Sequence, residues 1–331
     1  MSLSVAIIGA GLTGSLVAHQ LSNAKLKIRV FEKSRGLGGR ASTKRLPWGQ
    51  LDLGVPIVPA TDKPFMDFMQ QLVSQGQAYQ WPRPEQQTFR SSLSSDNNAA
   101  QFFVFDQKMN SMCHHWLQAS EVQTNSEVTE VRYQQGLGWQ LCIKQHWQQV
   151  FYDVLICTAP WPQTKTLLGR IDEEVFSPEQ TWASCWSIGI KLLSSIKPNM
   201  KVIHLANNAL QTLVFDSEKP NRPSLQNNEQ IWVAQLNHEL SATLGKEGKA
   251  EAIKLACAAL CQYFNLPAEV IQHTEGHFWR FARSQKGQKP LGIIHNQSNN
   301  LIAGGDWSFG ASVQSTYNAA QTISQIVLQI S

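Results

Sequence analysis

The chain has 331 residues, enough for a large core and for two domains rather than one. Charged residues make up only 16% and the net charge is +4, with no clustered block of Lys and Arg, which argues against a nucleic-acid partner. No apolar run is as long as a membrane span, and the apolar opening at 5–8 is too short for a signal peptide, so a soluble, cytoplasmic protein is expected.

In chain order, residues 4–9 read as a buried parallel strand, 12–23 as a helix and 27–31 as a second strand. Together they form a βαβ unit with Gly9, Gly11 and Gly14 at its first turn. Residues 64–76 have helical spacing through Phe65, Phe68, Met69 and Leu72. The Gln-, Ser- and Asn-rich stretch 79–106 reads as loop and edge strand, and 109–117 as a helix. Residues 121–131 and 139–143 alternate like strands of an antiparallel hairpin or meander, turning at Gln135-Gly136, and 150–157 is a further apolar strand. After Ala159-Pro160 the pattern changes. Four strand-like runs, 184–193, 201–205, 211–215 and 230–236, are separated by polar turns, as in an antiparallel sheet. Residues 246–264 form the best amphipathic helix, with Ile253, Leu255, Leu260 and Phe264 among its apolar positions; 301–303 is a short buried strand and 312–326 a closing helix.

The expected class is therefore α/β combined with α+β. A Rossmann-type domain is drawn from residues 1–76, 107–165 and 285–331, and an antiparallel-sheet substrate domain from 77–106 and 166–284. Of the six cysteines none forms Cys-x-x-Cys, so buried reduced thiols are expected and no metal site. His114 and His115 are adjacent, and neighbours on a helix do not face one another, so a surface role is expected for them too.

The glycine turn has a specific chemistry. Gly9 permits the tight turn out of the strand, Gly11 lets the backbone approach a pyrophosphate, and Gly14 lets the helix pack on the sheet. The helix start, at Leu12 and Thr13, offers N–H groups to the phosphates. Glu32, at the end of the second strand, places a carboxylate on the ribose hydroxyls and disfavours a 2′-phosphate. Directly after it, Lys33-Ser34-Arg35-Gly36-Leu37-Gly38-Gly39-Arg40 adds a second glycine cluster ending in arginine. That suits an extended FAD better than NAD, with Arg40 near the diphosphate. Far downstream, Gly304-Gly305-Asp306 follows a strand, where an aspartate can bond a ribityl hydroxyl. A helix beginning near Ser312 would then stabilise negative charge at the flavin N1–C2=O edge.

These residues resemble the FAD proteins of the glutathione-reductase and p-hydroxybenzoate-hydroxylase type, in their flavin amine-oxidase branch, and within it the renalase-like proteins. The resemblance covers most of the chain. It is carried by the motif from Gly9 to Gly14, Gly38-Gly39-Arg40, Asp52-Leu53-Gly54, residues 153–160, the run His277-Phe278-Trp279-Arg280-Phe281-Ala282, and Gly305-Asp306 with the last helix. It implies non-covalent FAD contacted by Gly9, Gly11, Leu12, Thr13, Gly14, Lys33, Gly39, Arg40, Pro56, Ile57, Gly305, Asp306 and Val313. It also implies Glu32 on the ribose and the backbone of Val128, taken as mid-strand, at the adenine. Two stretches depart from the family: Val55-Pro56-Ile57 stands where Ala, a polar residue and an aromatic are usual, and Gln314-Ser315-Thr316 where Glu-Gly-Ala is usual. The implied activity is oxidation of dihydronicotinamide isomers, the 2- or 6-dihydro forms of NAD(P)H, to NAD(P)+, with dioxygen reduced to hydrogen peroxide.

Hydride transfer of this kind needs positioning more than acid–base help. No catalytic triad or nucleophile elbow is present, and no catalytic residue is assigned. Trp186, Trp279, Phe281 and Phe309 are candidate walls for a flat ring, and His277 lies near them in sequence. Arg280 is a candidate for a substrate phosphate or carboxamide, or for a structural ion pair. A flavin amine oxidase, a carotenoid- or porphyrin-type desaturase, and a non-catalytic FAD-binding protein are the alternatives.

Overall fold

The computed structural model describes residues 2–89, 100–194, 196–205, 209–226, 228–285 and 287–331. The chain divides into two units: Met1–Gly39, Met112–Thr181 and Arg283–Ser331 make the first, and Arg40–Ser111 with Trp182–Ala282 the second.

In the first unit a six-stranded sheet runs in the order Ile294–Asn296, Leu301–Ala303, Val154–Cys157, Ser4–Ile8, Lys27–Phe31, Glu121–Gln123. Its neighbours pair in parallel except at the Ile294–Asn296 edge, which is antiparallel. The central strands are unbroken apolar runs with Val5, Ala6, Ile7, Leu155, Ile156 and Ile302 fully buried, as expected of parallel strands covered on both faces. The helices Leu12–Gln20 and Val313–Ile330 pack on each other, and the latter buries Ala319, Ala320, Ile323 and Val327 at helical spacing.

Two of the expected strands each turn out to be a pair. The run 121–131 breaks at Asn125, whose φ of 52° is a left-handed conformation that Asn tolerates. Glu121–Gln123 joins the parallel sheet, and Val128–Gln134 instead opens a meander with Gly138–Ile143 and His146–Tyr152. The run 150–157 divides at Asp153, whose carboxylate accepts from the Ser4 N–H and hydroxyl, both at 2.7 Å. That clamp turns the chain from the meander into the parallel strand Val154–Cys157. The helix Trp161–Leu168 was not anticipated from the sequence.

In the second unit a six-stranded sheet has the order Ile271–Ser284, Trp182–Leu193, Glu229–Leu236, Leu210–Val214, Val202–His204, Gln87–Phe89. Trp232, Ala234 and Leu236 pack beneath the helix Lys249–Phe264, and the alternate residues Ile231 and Val233 pack on Leu51 and Leu53. Both faces of this strand are buried, which explains its apolar sequence. The helix expected over 246–264 is preceded by a separate helix, His238–Leu244, because Gly245 takes a φ of 59°. The stretch 79–106 is more ordered than expected. Gln101–Phe105 is the buried centre of a three-stranded sheet between Val58–Ala60 and Ala78–Gln80, while 90–99 lie outside the described residues.

The unit boundaries also differ from the expected domains. Residues 40–76 and 107–111 belong to the second unit, because Leu51 and Leu53 share its core and Asp52 is ion-paired with Lys219 and Arg222. Residues 166–181 belong to the first, held by Phe176 stacked on Trp161 at 6.0 Å and by the Thr181 carbonyl, which accepts from the Gln285 N–H.

Candidate functional site

The first unit carries a candidate dinucleotide cradle. Gly9 leaves the strand Ser4–Ile8 with φ 105°, and its N–H donates to the Phe31 carbonyl at 2.8 Å. A Cβ on Gly14 would lie 2.1 Å from the Gly9 carbonyl oxygen, so glycine is obligatory there. A Cβ on Gly11 would meet nothing within 4 Å, which leaves open space above the turn. No side chain caps the helix that begins at Leu12, so its first N–H groups are available to an anionic oxygen. Leu12 and Thr13 are buried in that first turn. The second glycine cluster lies directly on the first: the Gly38 N–H donates to the Ala10 carbonyl at 2.9 Å, and Gly11 and Gly38 form a parallel bridge.

Glu32 is buried beside this turn. One carboxylate oxygen accepts from the Ala10 N–H at 3.0 Å and the other from the Ser34 N–H at 2.8 Å. A carboxylate has about four acceptor sites, so two remain for a pair of ribose hydroxyls. The Ser126 N–H donates to the Glu32 carbonyl, which brings the turn before Val128 alongside; Val128 itself is the first residue of its strand, not mid-strand as expected. Lys33 is exposed and its ammonium donates to Gln163 at 3.2 Å, so its ionic head is engaged on the surface.

The C-terminal motif enters the same unit from the other end of the chain. The Gly304 N–H donates to the Cys157 carbonyl at 3.0 Å, and Trp307 donates its indole N–H to the Ala159 carbonyl at 3.0 Å. These bonds fix Gly305 and the buried Asp306 at the carboxyl ends of the parallel strands, where ligands of open α/β sheets bind. Val313 opens the last helix behind a Ser312 cap, the hydroxyl accepting from the Ser315 N–H. Thr158 and Trp307, which tie these strand ends together, were not singled out from the sequence; a Thr and a Trp beside glycine turns were the only signal.

In the second unit, Arg40 donates to the Ala282 carbonyl at 3.1 Å and lies 5.5 Å from the Trp182 ring centroid. Pro56 and Ile57 are buried just before the strand Val58–Ala60. In the strand Ile271–Ser284, Gly276 and Phe278 face the core, Phe278 against Trp186, so Glu275, His277, Trp279 and Phe281 share the other face. Trp279 donates to the Leu53 carbonyl at 2.7 Å, and its ring is 4.2 Å from that of His277.

Two expected pocket residues are placed elsewhere. Trp186 is 2% exposed and donates its indole N–H to the Gly245 carbonyl, so it is a core residue and not a pocket wall. Arg280 leaves the strand on the face opposite Trp279 and is exposed, its guanidinium 5.2 Å from the Phe281 ring. Phe309 lies in the first unit, 41% exposed.

Beneath Leu53 lies a buried cluster of four charges, Asp52, Asp216, Lys219 and Arg222. Burial alone would raise the Asp52 carboxyl. The charges of Lys219 and Arg222, with hydrogen bonds from Lys219 and Thr43, outweigh it and hold the group below the usual carboxylate range.

The fold can be set beside known proteins. A family model described as an NAD(P)-binding Rossmann-like domain matches residues 7–72. A protein described as a protoporphyrinogen oxidase from Exiguobacterium sp. 255-15 superposes with a TM-score of 0.75 at 11% identity, covering 100% of both chains. The PF1083 protein of Pyrococcus furiosus gives 0.68 at 13% identity, over 98% of this chain and 97% of that one. A triple mutant of putrescine oxidase gives 0.72 at 12% identity, over 100% and 99%. At such identities the likeness is one of fold. The chain thus carries a Rossmann-like domain together with a mostly antiparallel second domain, a fold it shares with these proteins.

Proposed function

We propose that this protein is an FAD-dependent oxidoreductase of the amine-oxidase-like kind. The first unit would hold FAD non-covalently, with a small oxidisable molecule as substrate. The observation that carries the reading is the buried Glu32 carboxylate, fixed by two backbone N–H groups beside a glycine turn that opens an uncapped helix. Gly9, Gly11, Leu12, Thr13 and Gly14 would take the pyrophosphate, Glu32 and the backbone near Val128 the adenosine, and Gly305, Asp306 and Val313 the ribityl chain and the flavin pyrimidine edge. Gly39, Arg40, Pro56 and Ile57 are carried over from the family resemblance. Burial pushes the Cys113 and Cys185 thiols up to about 12, which keeps them neutral and supports non-covalent binding in a reducing cytoplasm.

Held by these residues, FAD would supply a two-electron acceptor for a substrate hydride and a route for the electrons to dioxygen, with hydrogen peroxide as the product. The chain's own contribution is to bind, orient and exclude water. The substrate best suited is one whose hydride leaves a carbon bonded to nitrogen. Amines fit this description, and so do the 2- and 6-dihydro isomers of NAD(P)H. The putrescine and protoporphyrinogen oxidase folds favour an amine or a porphyrin-type substrate. The run from His277 to Ala282 favours the dihydronicotinamides, with NAD(P)+ as product.

An absorption spectrum of the purified protein, followed by anaerobic mixing, tests the reading. A flavin spectrum that bleaches with an amine or with a dihydronicotinamide isomer is expected, and which of the two bleaches it decides the substrate. A colourless protein that takes up no added FAD, or full flavin occupancy with no reduction by an amine, a dihydronicotinamide isomer or a porphyrinogen, would overturn it.

A further inference from the structure

One face of the strand Ile271–Ser284 presents a graded row of side chains within the second unit. His273 stacks on Trp48 at 5.6 Å. Next, Glu275 accepts from Lys249 at 2.9 Å and pairs with Lys44 at 3.1 Å. Then come His277 and Trp279 in ring contact, and finally Phe281, edge-on to Trp182 at 6.1 Å. Two residues along a strand span about 7 Å. The ammonium pair at Glu275 and the ring of His277, two residues on, are thus within the reach of one small molecule.

The charge of the row is unbalanced. Two ammonium groups share one carboxylate, which leaves one positive charge beside His277. Both lysines remain partly exposed, at 42% and 51%, while Glu275 is 20% exposed beneath them. The Lys249 chain reaches Glu275 past Gly276, where a Cβ would lie 3.5 Å from Lys249 Cε. Glu275 thus holds the two lysine heads at the end of the aromatic row.

We infer that Lys44 and Lys249 form a charge-selective anchor, which takes the anionic substituent of a flat-ringed substrate and turns away a free ammonium. The inference rests on the oxidoreductase reading and narrows its substrate class to flat molecules bearing a carboxylate or phosphate. Glu275 is a positioning residue that keeps the two ammonium groups together. His277, braced by the ring of Trp279, which is itself fixed by its bond to Leu53, gives the ring a flat support.

The experiment measures binding to the flavin-loaded protein, with no turnover. Anthranilate is a flat fluorescent carboxylate, 2-aminobenzamide is its neutral counterpart, and benzylamine is a cationic ring. Anthranilate is expected to bind at least ~10-fold more tightly than the amide, about 1.4 kcal/mol, with benzylamine weakest. In K44A/K249A the anthranilate preference should vanish while the amide is unaffected, and K44R/K249R should restore it. Equal affinity for anthranilate and the amide, or an equal loss of both in K44A/K249A, would overturn the anchor. Melting temperature and the flavin absorbance of each variant separate these outcomes from misfolding and from failure of the FAD reading itself.

Discussion

The hydroxyl of Thr158 lies 3.2 Å from the carbonyl oxygen of Gly9, and it donates to the neighbouring Ile8 carbonyl at 3.0 Å. The end of one parallel strand therefore closes the glycine turn of the next. Thr158→Val keeps the shape and removes the hydroxyl. A loss of about 1 kcal/mol in denaturant stability is expected, the usual value of one such hydrogen bond. FAD affinity should fall as well, because the turn is no longer pinned.

Gly11 and Gly14 should respond in opposite ways to the same methyl group. At Gly14 the Cβ would collide with the Gly9 carbonyl at 2.1 Å and the Thr158 hydroxyl at 2.8 Å, so Gly14→Ala should destabilise the fold by about 1–3 kcal/mol. At Gly11 the Cβ would enter open space, so Gly11→Ala should leave the melting temperature of the flavin-free protein unchanged. It should instead weaken FAD by ~10-fold or more, because the methyl group occupies the approach of the pyrophosphate. Normal FAD titration by Gly11→Ala would show that the open space is not the pyrophosphate site.

Glu32→Gln tests the ribose contact. Both carboxylate oxygens accept backbone N–H groups, and an amide can offer only one acceptor oxygen. One N–H would face an NH2 group. Loss of the charge-assisted bond that the carboxylate would accept from a ribose hydroxyl costs about 1.5–3 kcal/mol. Isothermal titration should show FAD weakened by ~10–100-fold, while adenine-free FMN, which lacks that ribose, is unaffected.

The parts of this molecule that were legible in the sequence are those fixed by local pattern. The glycine turn, its helix and Glu32 sit within residues 9–32 and are written in the order the cradle uses them. The same holds for the apolar run 230–236, because both faces of that strand are covered. What was not legible depended on distant partners. The division at Asp153 is set by Ser4, and the core position of Trp186 by Gly245 and Phe278. The transfer of residues 40–76 to the second unit is set by Lys219 and Arg222, which no spacing near Asp52 announces.

The buried cluster around Asp52 makes an acid-sensitivity prediction. The folded-state Asp52 carboxyl is held below its ordinary value of 3.8, so the stabilisation is present above that value and is lost as pH falls through the lower folded one. Asp52→Asn leaves Lys219 and Arg222 facing one carboxylate, Asp216, in a buried site. About 3–5 kcal/mol of destabilisation is expected at neutral pH. Denaturation at pH below about 4 should then show less further loss in the variant than in the parent. Parallel curves would mean that another carboxyl dominates acid unfolding.

His277 gives the opposite kind of dependence, on binding as well as folding. Burial lowers its imidazole below the ordinary 6.5, the Lys44 and Lys249 charges lower it further, and Glu275 opposes them. The ring is therefore neutral at pH 7. The unfolded chain takes up its proton first, so stability from this group is complete above 6.5 and declines as pH falls towards the lower folded value. Protonation adds a second positive charge beside the lysine pair. Anthranilate affinity should rise as pH is lowered through and below 6.5, where His277 takes up its proton. His277→Gln keeps a polar side chain but removes the titration, so its affinity should be flat over that range and its stability less sensitive to acid. Retention of the full pH dependence in His277→Gln would assign it to another group, and His273, stacked on Trp48 in the same row, would be the next histidine to substitute.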